Sequence, residues 1–313
     1  WTKSDWRKKI DWERMRYVVR LAVQFLDNVI DLNNYPLPQI EEQTKRNRRM
    51  GLGVMGFAKM LVKIGVRYDS PEALEVAEGV MKFITDEGRK MSHELGRARG
   101  SFPAFKDSVW ADKYDAMRNA TITSIAPTGT ISMIADTSSG IEPIFALAFI
   151  KTVMDGTKLY YSNEVFEHVL KVRGLYSPAL MQTVIEHGSI QDIDAIPQEI
   201  KDVFVVAHDI NADAHVNMQG AFQKYTDLAV SKTINMPPDA TVEDVEKAYL
   251  LAWKLKCKGV TIYREGSRGV GVLSKVKKKT EEAKQEDVEK GEDVPSIYTR
   301  KPKEEIVQQA VSQ

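Results

Sequence analysis

The sequence predicts an α/β fold in which helices alternate with short, widely separated strands. Three observations predict it. Apolar residues recur every three to four positions over several stretches, a few brief β-branched runs are fenced by proline and glycine, and the connections between those runs are long enough to carry helices.

In chain order, Met15, Val18, Val19, Ala22, Phe25, Leu26, Val29 and Ile30 lie at helical spacing among charges, so 11–32 reads as an amphipathic helix ended by Tyr35-Pro36-Leu37-Pro38. A very polar stretch, 41–49, leads into Met50-Gly51-Leu52-Gly53-Val54-Met55-Gly56-Phe57-Ala58, whose small and apolar residues predict a helix packed closely against a neighbour. Ser70-Pro71-Glu72 is a helix start, with serine as cap and proline at the first helical position. Its stripe Leu74, Ala77, Val80, Met81, Ile84 runs on towards Gly96 and Gly100. From Asn119, Ala120-Thr121-Ile122-Thr123-Ser124-Ile125 has the composition of a short buried strand, and 141–153 is a second such run. Helices are expected at 164–172, 178–187 and 197–225, the last with a break near Asp209-Ile210-Asn211. The run 229–236 is β-like and stops at Pro237-Pro238. Thr241 caps a helix expected to reach Cys257 and to be stopped by Gly259, and 260–263 reads as the last strand. From Ser274 the chain turns to lysine and glutamate, the composition of a solvated, largely disordered tail, which divides it into 1–273 and 274–313.

Composition excludes several function classes. With 43% hydrophobic and 8% aromatic residues the chain can bury a core, and its 44 basic and 44 acidic residues leave no positive excess for polymer nucleic acid or an anionic membrane. No apolar run approaches the roughly 20 residues that span a bilayer, and the start, Trp1-Thr2-Lys3-Ser4-Asp5-Trp6, lacks signal-peptide features, so a cytoplasmic protein is expected. The one cysteine, Cys257, excludes a disulfide framework, a multi-cysteine zinc site and any mechanism that takes two thiols from this chain. It reads as a small buried residue, with only Lys256 and Lys258 to lower its pKa. A first residue of Trp rather than Met leads to the expectation of a fragment or processed piece.

The segment with chemical content is Ala126-Pro127-Thr128-Gly129-Thr130-Ile131-Ser132. A strand that ends in Pro-Thr-Gly-Thr-x-Ser and enters a helix leaves backbone N–H groups unpaired at the positive end of the helix dipole, where phosphate binds well. Gly129 permits close approach, and the hydroxyls of Thr128, Thr130 and Ser132 can add hydrogen bonds; the alternative is that they only cap the helix. Gly51-Leu52-Gly53-Val54-Met55-Gly56 fits G-x-G-x-x-G with Asp69 at a suitable distance, but the charged run before it is not a buried strand, so close packing explains these glycines better than a dinucleotide site. His208 and His215, seven apart and near Asp209 and Asp213, read as polar helix residues rather than metal ligands.

The loop Ala126 to Ser132, followed by Thr137-Ser138-Ser139-Gly140-Ile141-Glu142-Pro143, resembles the substrate-phosphate loop and next strand of ribonucleotide reductases, in the form of the adenosylcobalamin-dependent class. Asn47-Arg48-Arg49-Met50-Gly51-Leu52-Gly53-Val54-Met55-Gly56-Phe57, Ala229-Val230-Ser231-Lys232-Thr233-Ile234-Asn235-Met236-Pro237 and Cys257-Lys258-Gly259-Val260-Thr261-Ile262-Tyr263-Arg264-Glu265-Gly266-Ser267-Arg268 resemble family segments in the same order. The resemblance implies the second half of a ten-stranded α/β barrel with helices outside, and a substrate-phosphate loop made of Pro127, Thr128, Gly129, Thr130, Ile131 and Ser132. It implies adenosylcobalamin as cofactor, a ribonucleoside di- or triphosphate as substrate, reduction to the 2′-deoxyribonucleotide by thiyl-radical chemistry, an external dithiol reductant such as thioredoxin, and assembly that includes an amino-terminal half and is open to a homodimer.

This sequence departs from the complete pattern: it has no Asn-x-Cys-x-Glu, and Cys257 falls in a late block, so no catalytic residue and no metal ligand is assigned here. The family's radical cysteine precedes the helix matching 11–32, so the chain alone is expected to be inactive. Two other readings stand beside this one: a non-catalytic nucleotide-binding or assembly subunit, and a fragment of the iron-dependent class, which needs a tyrosine pair where the tail offers Tyr298 alone.

Overall fold

The computed structural model describes residues 5–152 and 158–267. Helix α1 (Trp12–Leu32) begins where the Asp11 carboxylate accepts the Arg14 amide, as an N-cap should. Helix α2 (Pro38–Asn47) turns the polar stretch into a helix that starts on a proline and ends at Arg48, held in the left-handed region at φ 44°. Helix α3 (Phe57–Ile64) follows, then α4 (Pro71–Arg99), capped by Ser70 as expected. The short α5 (Gly129–Ile134) precedes β1 (Ala148–Thr152) and β2 (Lys158–Ser162), an antiparallel pair. Next come α6 (Glu164–Val172), α7 (Pro178–His187), α8 (Gln198–Lys201) and α9 (Ala212–Gln223). Strand β3 (Thr233–Met236), helix α10 (Val242–Lys254) and strand β4 (Thr261–Arg264) close the described chain.

Four extended segments lie side by side and parallel. Leu52 bridges Thr123, Ile125 bridges Val230, and β3 pairs with β4 in the register Ile234 to Ile262. The ribbon order is therefore 50–54, 121–125, 229–236, 261–264, with helices in every crossover, the arrangement of part of an α/β barrel. A separate parallel bridge joins Ile144 to Val206. The main core includes residues of the ribbon and of the helices: Phe57 meets Phe222 edge-on at 4.9 Å, Phe166 meets Phe204 at 5.1 Å, and Val76, Ala77 and Met81 of α4, Met218 of α9 and Ile125 of the ribbon are buried in the same cluster.

Several expectations are corrected. Residues 50–55 are extended rather than helical, because their amides belong to the ribbon: Met50 donates to the Thr121 carbonyl and Leu52 to that of Ile122. The close packing expected of the glycines is real, since a Cβ on Gly53 would lie 2.2 Å from the Ser124 carbonyl oxygen. The helix expected over 197–225 is two helices, Gln198–Lys201 and Ala212–Gln223; the break expected near Asp209-Ile210-Asn211 is there, with Asn211 capping the second helix, but it begins earlier, at the buried, largely β-branched run Val203-Phe204-Val205-Val206. Helix α10 stops at Lys254, before Cys257; Lys256, at φ 59°, breaks it rather than Gly259. Only Val19, Val23, Asp27 and Ile30 of α1 are buried, while Val18, Phe25 and Val29 of its expected inward stripe are exposed. The end of the second β-like run at Val153, the expected tail over 274–313 and Tyr298 lie outside the described residues. Among the described residues no helix is long and apolar enough to cross a membrane.

Candidate functional site

The loop 126–140 leaves the ribbon at Ile125, whose amide donates to the Ala229 carbonyl and whose own carbonyl accepts the Ser231 amide. Thr128 then takes φ 57°, a conformation unfavourable for a β-branched residue, and Asp136 at φ 52° bounds the far end of α5. That strain is offset by hydrogen bonds across the loop. The Gly140 amide donates to Thr128 Oγ1 at 2.6 Å, Ser132 Oγ lies 2.9 Å from Ser139 Oγ, and the Thr137 amide donates to the Ser132 carbonyl. Helix α3 braces the loop from the side: the Gly56 amide donates to the Ser138 carbonyl, the Phe57 amide to that of Gly140, and Lys59 Nζ to that of Asp136.

Of the six residues read from the sequence, five form one exposed or half-exposed corner, and Ser132 lies beneath it, buried. The amides of Gly129, Thr130 and Ile131 make no hydrogen bond among the described residues and stand at the open head of α5. A Cβ on Gly129 would meet nothing within 4 Å, so no protein atom blocks approach from that side. The hydroxyls divide their tasks: Ser132 and the acceptor side of Thr128 hold the loop together, while Thr130 is exposed.

Immediately past the loop is a buried ionic cluster that sequence reasoning missed. Lys232 Nζ donates to Glu142 Oε2 at 2.9 Å, to His215 Nδ1 at 2.8 Å and to the Thr233 carbonyl at 3.0 Å, so all three of its protons are used. Glu142 Oε1 accepts the Thr233 amide at 2.7 Å. Burial, and then the neighbouring Lys232 charge, push His215 down to about 3, so it is neutral and accepts at Nδ1 while Nε2 faces the Ala207 carbonyl at 3.2 Å. Burial likewise lowers Lys232, opposed by Glu142. The Tyr68 hydroxyl donates to the Ile141 carbonyl at 2.6 Å, and burial raises its pKa well above the ordinary value. The sequence held a signal: Lys232 is a charge inside a β-branched run, which a buried strand tolerates only when the charge is paired. His215 is thus an interior histidine rather than a polar helix residue.

A second network fastens the starts of the extended segments 50–54 and 121–125. Buried Asp27 takes Arg48 Nε at 2.9 Å, Asn119 Nδ2 at 3.0 Å and Arg118 Nε at 3.2 Å, while Arg48 also grips Asp31 with both terminal nitrogens. Among the described residues no group of three or more His, Cys, Asp or Glu side chains could hold a metal ion. Burial raises the Cys257 thiol, which is half-buried and so is not activated.

A family profile described as "Ribonucleotide reductase, barrel domain" matches residues 2–263, nearly all of the ordered ribbon and its helices. The chain belongs to the ribonucleotide reductase barrel-domain family. Within that family it is 49% identical over 281 residues to the "Vitamin B12-dependent ribonucleoside-diphosphate reductase" of Thermoplasma acidophilum, covering 90% of this chain and 36% of that protein. The enzyme of the same name from Mycobacterium tuberculosis is 43% identical over 266 residues, covering 85% of this chain and 38% of its own length. Among solved structures, the Actinobacillus ureae class Id ribonucleotide reductase alpha subunit superposes with a TM-score of 0.69 at 25% identity, over 79% of this chain and 46% of that one. The chain thus spans a little over a third of the length of these curated reductases, and the barrel expected from its sequence is the fold it shares with them.

Proposed function

We propose that this chain is the part of a ribonucleotide reductase that holds the substrate's phosphates, and that Pro127, Thr128, Gly129, Thr130, Ile131 and Ser132 form the holding loop. One observation supports this most strongly: three consecutive amides, those of Gly129, Thr130 and Ile131, without a partner among the described residues, at an open corner whose backbone is strained at Thr128 and braced by the start of α3 and by bonds across the loop. The names of its relatives support a ribonucleoside diphosphate, of the di- and triphosphates its sequence leaves open, as the substrate, and vitamin B12, as adenosylcobalamin, as the cofactor. Bound adenosylcobalamin would supply the radical; no residue of this chain is assigned to it, and the described residues do no more than bind and orient the nucleotide. With Cys257 as its one cysteine, the chain leaves the radical thiol and the redox-active pair to the remaining two thirds of the reductase, with electrons drawn from an external dithiol such as thioredoxin in the cytoplasm.

The test combines this chain with a fragment carrying the Asn-x-Cys-x-Glu segment and measures deoxyribonucleotide formation with and without adenosylcobalamin. Turnover that requires the cofactor and is lost in Gly129→Asp, which sets a carboxylate against the phosphates, is the expected result. Turnover unaffected by Gly129→Asp removes the loop from the site, and no turnover with any radical source refutes the assignment as a reductase part.

A further inference from the structure

Both ends of the loop stand on one strand. Its entry residue, Ile125, is hydrogen-bonded to Ala229 and Ser231, and its exit residue, Glu142, is hydrogen-bonded to Lys232 and Thr233. The loop is therefore a bracket with its two feet one residue apart on the segment 229–233. The first foot is ordinary strand pairing. The second is an ion pair whose ammonium is fully buried and whose carboxylate is partly exposed, and that is physically unexpected: an ammonium taken out of water is costly, and apolar residues of similar volume commonly serve stability as well or better. What an ion pair can supply and an apolar pair cannot is directional selection of one register, a role attested in some proteins. Here Lys232 can satisfy its three protons only with Glu142, His215 and the Thr233 carbonyl together, so one position of Glu142 is selected, and with it the Gly140 amide that closes the loop on Thr128.

We propose that Lys232 is a positioning residue for substrate phosphate: by fixing Glu142 in register it holds the return limb 137–141 so that the amides of Gly129, Thr130 and Ile131 stay pointed at the ligand. This rests on the phosphate-loop reading above. His215 completes the device as a neutral acceptor carried by α9, and Tyr68 secures the intervening Ile141 carbonyl, with the Lys232 ammonium 6.0 Å from its ring.

The experiment uses the assembled reductase with Lys232→Met combined with Glu142→Gln, which removes both charges and keeps an acceptor for the Thr233 amide. A purely structural ion pair predicts that this double variant, once folded, binds and turns over like the parent. The positioning role predicts an apparent KM for nucleoside diphosphate raised about tenfold with kcat within about threefold, and exchange of the Gly140 amide accelerated about tenfold while core amides of α4 are unchanged. Glu142→Gln alone keeps Lys232 and decides by the same readouts if the double variant does not fold. Unchanged exchange at Gly140 in a folded variant overturns the proposal. Accelerated exchange without a change in KM also overturns it, since the limb would then be held to no purpose for the ligand. If the unsubstituted assembly shows no phosphate-dependent binding, it is the phosphate-loop reading that falls.

Discussion

The neutral state of His215 makes a measurable claim about acid stability. In the folded chain its pKa stands at about 3 against an ordinary 6.5, because burial, followed by the Lys232 charge, opposes protonation. Unfolded chains take up a proton as pH falls through about 6.5, and folded chains do not until near 3, so the unfolded state binds more protons across that window. The stabilisation is complete above the unfolded value and declines as pH falls. The whole gap corresponds to roughly 5 kcal/mol, of which roughly 3 kcal/mol is lost between pH 6.5 and 4.5. The groups acting on the ring are Lys232 Nζ at 2.8 Å, with Glu142 behind it, the Ala207 carbonyl, and the nearby His208, whose charge when protonated also opposes protonation of His215. The assay is urea unfolding at pH 7 and pH 4.5 for the parent and for His215→Gln, whose amide can accept from Lys232 and donate to Ala207 but does not titrate. The parent is expected to lose about 3 kcal/mol more than the variant between the two conditions. Equal losses would show that the histidine is not held neutral and would refute the reasoning.

Other substitutions probe the frame around the loop. Asp27→Ala leaves Arg48, Arg118 and Asn119 without their shared acceptor and is expected to cost about 3–5 kcal/mol in urea unfolding. Gly53→Ala drives a methyl group to 2.2 Å from the Ser124 carbonyl and should cost at least about 1–3 kcal/mol, whereas Gly129→Ala, with nothing within 4 Å, should change stability by less than about 0.5 kcal/mol while weakening nucleotide diphosphate binding by calorimetry. Thr241→Ala breaks the capping box with Asp244 and should lower thermal stability by about 1 kcal/mol.

Local rules made much of this fold readable. The helices at 164–172 and 178–187 match the observed α6 and α7 because their caps, Asn163 and Ser177, and their apolar spacing agree. The start of α4 was equally plain, since Ser70 and Pro71 specify it within two residues. Where tertiary contact outweighed local preference, the reading failed. Residues 50–55 read as helix, and only backbone pairing with 121–124, distant in sequence, makes them extended. The turn into a helix at 127–132 was legible from its motif, but its support was not: Glu142, Lys232 and His215 are isolated letters until folding brings the first and the last each within 3 Å of Lys232. The two-sided exposure of α1 was also invisible, because spacing reports which residues are apolar and not which of them find a neighbour.

The ribbon has a consequence for how the chain comes together. Ser124 reaches Ala229 across 105 positions, and Thr121 reaches Met50 across 71, so the corner that presents Gly129 has no lasting shape until the segment near 230 has been made. Contacts this remote are slow to form, and during synthesis the corner at Gly129 should be among the last features to acquire protection, well after the α4 helix. A chain stopped before Ala229 would keep every residue of the loop and still lack the strand on which both its ends rest.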